Sequence, residues 1–344
     1  MRSLLLSQYK QLSVTDSPDP VPAADEVLIR VGACGICGSD VHGYDGSSGR
    51  RIPPLIMGHE AAGTIAAAGP EVTRFRVDDR VTFDSTIYCG ECEYCRRGDV
   101  NLCDSRQVLG VPCDDYRRDG AFAEFVAVPE RVLYALPPHM PFAHAAMLEA
   151  TAVALHAVRM AGDVPPGSTA LVIGAGMIGL LVMQAARASG FARVLVADVD
   201  RSRLDLAESL SADHTILSPE SSAEVLSFTA TRGVDVVFEA VGTRETVQSA
   251  IMSVRRGGTV VLIGNIAREV TLPLQSVVTR QIRLQGTAAS SGEYGAAVEM
   301  LGNGSIQVAP LIAAVVPLEQ GPRWFERLYS REPGLMKVVL DPTR

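Results

Sequence analysis

Two hydrophobic rhythms succeed one another along the chain. From Met1 to about Thr151, short β-type runs such as EVLIRVGAC, AAGTIAAAG, DRVTF and GAFAEFVAV are cut apart by Gly and Pro. This predicts an antiparallel, barrel-like region with long loops. After a helical stretch at Ala152 to Ala161, the apolar runs TALVIGAG, RVLVADVD, VDVVFEAVG and GGTVVLIG alternate with amphipathic segments such as MIGLLVMQAARASG and RSRLDLAESLSA. Apolar strands alternating with helices predict a parallel sheet covered on both faces. The expected fold class is therefore α/β, with a β-rich domain over residues 1–152 and a doubly wound domain over 153–290. The tail, 291–344, returns to isolated strands, PLIAAVVPLEQ and MKVVL, and is expected to complete the first domain.

Composition narrows the class. At 344 residues, 47% hydrophobic, with no low-complexity tract, the chain is globular and long enough for two domains. A formal charge of -8 disfavours binding to nucleic-acid backbones, which rests on clustered Lys and Arg. The N-terminus, MRSLLLSQYKQL, has too short an apolar run for a signal, and no stretch reaches the roughly 18 apolar residues of a membrane span. A cytoplasmic protein with a small-molecule partner is expected. Seven cysteines, an odd number without a secretory signal, favour thiols and thiolates over a disulfide framework.

Three stretches carry candidate chemistry. After the strand TALVI comes Gly174-Ala175-Gly176-Met177-Ile178-Gly179, opening a helix. A bare GxGxxG is weak, but between strand and helix it fits a dinucleotide: the first Gly for the turn, the second for approach to a pyrophosphate, the third for close packing. Asp198, nineteen residues after Gly179 at the end of the next strand, is placed to accept the ribose hydroxyls of NAD, and its charge would repel the 2'-phosphate of NADP. Arg201 and Arg203 lie close enough to soften that repulsion. Cofactor contacts are expected at Gly174, Gly176, Ile178, Gly179, Asp198 and Val241.

The second stretch pairs GICGSDVH, with Cys37, Ser39, Asp40 and His42, with IMGHEAAG, with His59 and Glu60. Thiolate, imidazole and carboxylate are zinc donors, and three protein donors leave a position for substrate. Glu149, before the helix into the second domain, is a further carboxylate whose bland role is to favour a helix start. The third stretch, CGECEYCRRGDVNLC, supplies Cys89, Cys92, Cys95 and Cys103, enough for a closed all-thiolate zinc site with no place for substrate. Cys34 reads as a small buried thiol and Cys113 as incidental. His139, His144, His156 and His214 read as surface or packing residues, and Phe122 as pocket lining or strand core.

Taken in order, GICGSDVH, GHE, CGECEYCRRGDVNLC, DGAFAEF, MLEA, GAGMIG with Asp198, and GGTVVLIG make the chain resemble the zinc-dependent medium-chain alcohol dehydrogenases, sorbitol (polyol) dehydrogenase-like branch, over essentially its whole length. The resemblance implies a GroES-like catalytic domain with a structural-zinc lobe at about 86–106, a Rossmann domain, and an active site in the cleft between them. It implies a catalytic zinc held by Cys37, His59 and Glu60, with Glu149 in or beside the metal shell and Asp40 orienting the ligating histidine. It further implies a proton relay through Ser39 and His42, Arg203 holding the adenosine part of NAD, and a homotetramer or homodimer. Two departures stand out: Glu149 is followed by Ala150 where the branch usually has Pro, and GTAASSGEY from Gly286 has no arginine where polyol dehydrogenases tend to carry one that grips substrate hydroxyls.

The expected function is hydride transfer between a secondary alcohol of a polyol or sugar-derived substrate and NAD. Aldonates, cyclitols and threonine are the alternatives. A non-catalytic zinc and nucleotide-binding protein would have no need of a Ser39–His42 relay. A zinc-ribbon nucleic-acid binder is disfavoured by the negative charge and by the compact four-cysteine spacing.

Overall fold

The computed structural model describes all residues except 112–115 and 218–221, so Cys113 lies outside the described residues. The chain divides into two compact units: Met1–Glu149 with Tyr294–Gly302 and Val308–Arg344, and Ala150–Glu293 with Asn303–Gln307.

In the first unit the ten-residue strand Glu26–Gly35 alternates so that Val27, Ile29 and Val31 are buried, the period-2 pattern of a strand with one face on a core. It pairs antiparallel with Glu60–Ala68, Phe125–Pro129 and Lys337–Asp341 inside a seven-stranded sheet. The parallel pairing of Ile312–Pro317 with Lys337–Asp341 departs from the otherwise antiparallel expectation. Leu4, Leu6, Ile29, Ile65, Phe83, Phe122 and Phe325 are fully buried in this core, each contributing roughly 1.5–3 kcal/mol by leaving water. Phe122 meets Phe325 edge to face at 5.8 Å, which makes it a core residue.

The second unit is a six-stranded sheet, all of whose pairings are parallel. Counted along the chain, its strands lie in the order third, second, first, fourth, fifth, sixth, the doubly wound Rossmann arrangement. Its first strand, Thr169–Ile173, is buried at every position, as expected for a strand covered on both faces. Helix Met177–Ala188 follows directly, with Leu180 to Ala186 buried. No helix among the described residues is long and apolar enough to cross a membrane.

Candidate functional site

The metal-donor set is assembled where three strands meet. Glu60 opens its strand opposite Gly35, the last residue of the central strand. A side chain on Gly35 would begin 2.4 Å from Glu60 Oε2, so the glycine makes room for the carboxylate. Cys37 caps the short helix Gly38–Tyr44, whose first turn carries Ser39 and Asp40 and whose last turn carries His42. One donor atom each from Cys37, His59 and Glu60 lie within 4.8 Å of one another.

Buried charged groups surround these donors. Glu60 is fully buried; its Oε2 accepts from Lys337 Nζ at 2.5 Å, while its Oε1 is buried with no hydrogen-bond partner among the described residues. A buried carboxylate oxygen left without a donor is costly unless a cation supplies the missing charge. With a thiol, an imidazole and a Glu60 carboxylate oxygen converging, and one Glu60 oxygen unpartnered among the described residues, the residues fit zinc. His59 Nδ1 lies 3.3 Å from Asp40 Oδ1, without the alignment of a full hydrogen bond. Burial alone would lower the His59 pKa, but Asp40 and the Cys37 sulfur outweigh it and hold it well above its usual value, so metal binding at this imidazole must expel a proton. Burial would raise the Asp40 carboxyl, yet His59 and Arg51 hold it well below the usual range.

Glu149 is not among the three converging donors, but it is close enough to feel them. Burial pushes its carboxyl up to about 7, with Glu60 and Asp84 adding to the rise and His59 opposing it. Tyr294 stacks on Tyr134 at 5.0 Å, and its fully buried hydroxyl has no hydrogen-bond partner among the described residues.

Ser39 Oγ donates to Cys37 Sγ at 3.3 Å, and His42 is exposed one turn further along the same helix. Arg51, only 4% exposed, donates Nη2 to both Ser39 Oγ at 3.1 Å and Asp40 Oδ1 at 2.9 Å. It reaches them across Gly43, where a Cβ would fall 2.0 Å from Arg51 Cγ. No motif in the sequence points to Arg51 or Lys337. The signals were an arginine eleven residues from its partner and one lysine in an apolar strand, neither of which carries a recognisable spacing.

The sulfurs of Cys89, Cys92, Cys95 and Cys103 also lie within 4.8 Å of one another, around the one-and-a-half-turn helix Glu93–Arg97. All six described cysteines are free, so the disulfide alternative is not what the structure holds among them. Backbone N–H groups of Asp104 and Cys95 aim at Cys92 and hold its thiol down at about 6, favouring the thiolate that zinc binds.

In the second unit Gly174 has a φ of +99°, and a Cβ on Gly179 would fall 1.7 Å from the Gly174 carbonyl oxygen, so neither position accepts a side chain. A Cβ on Gly176, at the helix cap, would point into open space, the opening a pyrophosphate needs. Asp198 is buried; its Oδ2 accepts from Ala175 N at 2.6 Å and its Oδ1 from Asp200 N at 2.9 Å, so the carboxylate braces the glycine turn. Arg203 Nη1 stands 4.0 Å from Asp198, whereas Arg201 turns away to Asp205 and Glu208. Val241, whose Cγ2 abuts Gly174, is held by its N–H to Glu239 Oε1 at 2.9 Å; Glu239 is fully buried and also accepts from Gly242 N. Ile178 lies partly accessible in the first turn of the helix.

The loop after Gly286 that lacks an arginine is tied down from within. Glu293 Oε2 accepts from Ser291 N at 2.5 Å, and its Oε1 meets His156 Nδ1 at 3.0 Å and Arg159 Nε at 2.7 Å. His156 is therefore a buried member of a charged cluster, and His214 pairs with Glu224 at 3.2 Å; both have partners that their surroundings in the sequence do not reveal.

Comparison with known proteins gives a consistent picture. The family model described as alcohol dehydrogenase GroES-like domain matches residues 23–138, and that described as zinc-binding dehydrogenase matches residues 178–303. The sorbitol dehydrogenase of Bacillus subtilis (strain 168) is 34% identical, covering 100% of this chain and 98% of that protein. D-xylulose reductase A of Aspergillus oryzae is 34% identical over 95% of this chain and 93% of that one. A crystal structure of a zinc-binding dehydrogenase from Sinorhizobium meliloti 1021 bound to NADP superposes with a TM-score of 0.90 at 31% identity, covering 99% of each chain.

Proposed function

The chain belongs to the zinc-dependent medium-chain alcohol dehydrogenases, and from that premise we propose that it oxidises a secondary alcohol of a polyol or sugar-derived substrate with NAD. The observation that carries the reading is the convergence of Cys37, His59 and Glu60 with one buried carboxylate oxygen left unbonded.

When bound, zinc supplies a Lewis acid that makes an alcohol hydroxyl far more acidic, and the nicotinamide supplies the hydride acceptor. Cys37, His59 and Glu60 would hold the metal, with the Asp40 carboxylate, 3.3 Å from His59 Nδ1, orienting the ring. Ser39 Oγ would accept the substrate proton as it gives up its own, which exposed His42, on the same helix, would receive by way of the nicotinamide ribose and release to solvent. Arg51 positions both the serine oxygen and Asp40. Glu149, whose carboxyl burial raises to about 7 without metal, would serve in or beside the metal shell as a further carboxylate, since a bound cation draws its proton off. The four-cysteine loop holds a second, structural zinc, closed by four sulfurs. Gly174, Gly176, Ile178, Gly179 and Val241 seat the dinucleotide, Asp198 accepts the adenosine ribose hydroxyls, and Arg203 lies along the adenosine. The carboxylate at Asp198 supports NAD over NADP, and the active form is a homotetramer or homodimer.

The supporting test is NADH formation, followed by absorbance, across polyols, aldonates, cyclitols and amino alcohols, repeated with NADP. The reading expects turnover on a polyol or sugar-derived secondary alcohol with NAD strongly preferred. Turnover confined to amino alcohols, or equal rates with NADP, would remove the substrate or the cofactor assignment respectively.

A further inference from the structure

Lys337 occupies a position that the proposed reaction does not require. It is 1% exposed, and its ammonium donates to the fully buried Glu60 Oε2 at 2.5 Å and to the Ile36 carbonyl at 3.0 Å. The chain has 31 basic residues and only two are lysines, Lys10 and Lys337. A protein that otherwise uses arginine has placed a compact point charge here, where a planar guanidinium could engage both carboxylate oxygens. The ammonium takes Oε2 and leaves Oε1 without a partner.

Resting on the metal reading above, we propose that Lys337 is a built-in competitor for Glu60, a positioning residue that restricts the glutamate to one free oxygen and lowers the affinity of the Cys37–His59–Glu60 site for its divalent metal. Two effects act in the same direction. A cation bonded to one oxygen of a ligand carboxylate repels the incoming metal through a low-dielectric interior. It also stabilises the carboxylate when no metal is bound, because a buried charge with a partner is far less costly than one without. Removing the lysine frees Glu60 Oε2 and takes away the fixed charge that opposes the incoming metal. The expected sign is counter to intuition: losing a hydrogen-bond partner of the ligand tightens the site.

The experiment uses the full-length protein, stripped with a chelator, reloaded with zinc alone and titrated against a chromophoric chelator. Two classes of zinc are expected in the wild type, and Cys37→Ala should abolish the weaker one. Lys337→Met should retain zinc in that class about tenfold or more tightly, equivalent to ~1.4 kcal/mol, and Lys337→Arg should hold it less tightly than the wild type. The metal-free Lys337→Met protein should also melt below the metal-free wild type and recover on adding zinc. If Lys337→Met does not fold without metal, Lys337→Gln, neutral and still able to hydrogen-bond, should show the same direction of change. Unchanged or weaker zinc binding in both neutral variants would overturn the proposal and leave Lys337 as a scaffold for Glu60. A wild type holding zinc in the four-cysteine loop alone would instead overturn the metal reading on which the proposal rests.

Discussion

Glu149 shows how one buried carboxyl records the chemistry around it. Its carboxyl is raised from 4.5 to about 7, first by burial and then by Glu60 and Asp84. A raised carboxyl keeps its proton in the native state while the unfolded chain has already lost it, so between about 4.5 and 7 the native state binds more protons and stability falls as pH rises. In chelator-treated protein the loss over that window should reach up to roughly 3 kcal/mol, from ~1.36 kcal/mol per pKa unit. Denaturant midpoints measured across the window should show the slope in the wild type and lose it in Glu149→Gln. Zinc should flatten it as well, because a nearby cation draws the carboxyl down. Identical slopes with and without the glutamate would mean that the carboxyl is not held near neutrality. At this scale, the donors Cys37, His59 and Glu60 were legible because each stands in a short glycine-flanked motif. Arg51 and Lys337 were not, since what selects them is a gap over Gly43 and a strand crossing 277 residues away in the chain, neither of which leaves a local pattern.

Elements were more legible than their supports. Period-2 and period-3.6 patterning located the strand–helix alternation of the second unit, and the glycine turn fell between strand Thr169–Ile173 and helix Met177–Ala188 as its spacing implied. The parallel pairing of Ile312–Pro317 with Lys337–Asp341 was hidden, because two isolated apolar runs carry no record of their direction of pairing. Glu239 was hidden too: in VDVVFEAVG it reads as a strand end, yet its carboxylate binds the Val241 and Gly242 N–H groups and so shapes the loop against Gly174. Glu239→Ala should leave those donors buried without an acceptor and cost about 2–4 kcal/mol. Thermal melting should register the loss, and NADH fluorescence titration should show weaker binding with zinc content unchanged. Undiminished NADH affinity would separate this loop from the cofactor site.

For the whole molecule, the two families of motif fall in different units: both cysteine-containing donor sets lie in the first, and the glycine fingerprint with Asp198 lies in the second. The louder cysteine run brings four sulfurs together, enough to close a tetrahedral zinc shell, whereas the quieter set from Cys37 to Glu60 brings three donors, with one Glu60 oxygen unpartnered among the described residues. The proposed assignment of the metal on which turnover depends is to Cys37, His59 and Glu60. It is tested most directly by zinc content per chain, measured alongside NADH formation, in the Cys37→Ala protein. The Cys37→Ala protein should fold, keep about one zinc ion of the two, the one held by Cys89, Cys92, Cys95 and Cys103, and lose nearly all turnover. A Cys37→Ala protein that retained both zinc ions, or that turned over substrate at the wild-type rate with one, would contradict that assignment.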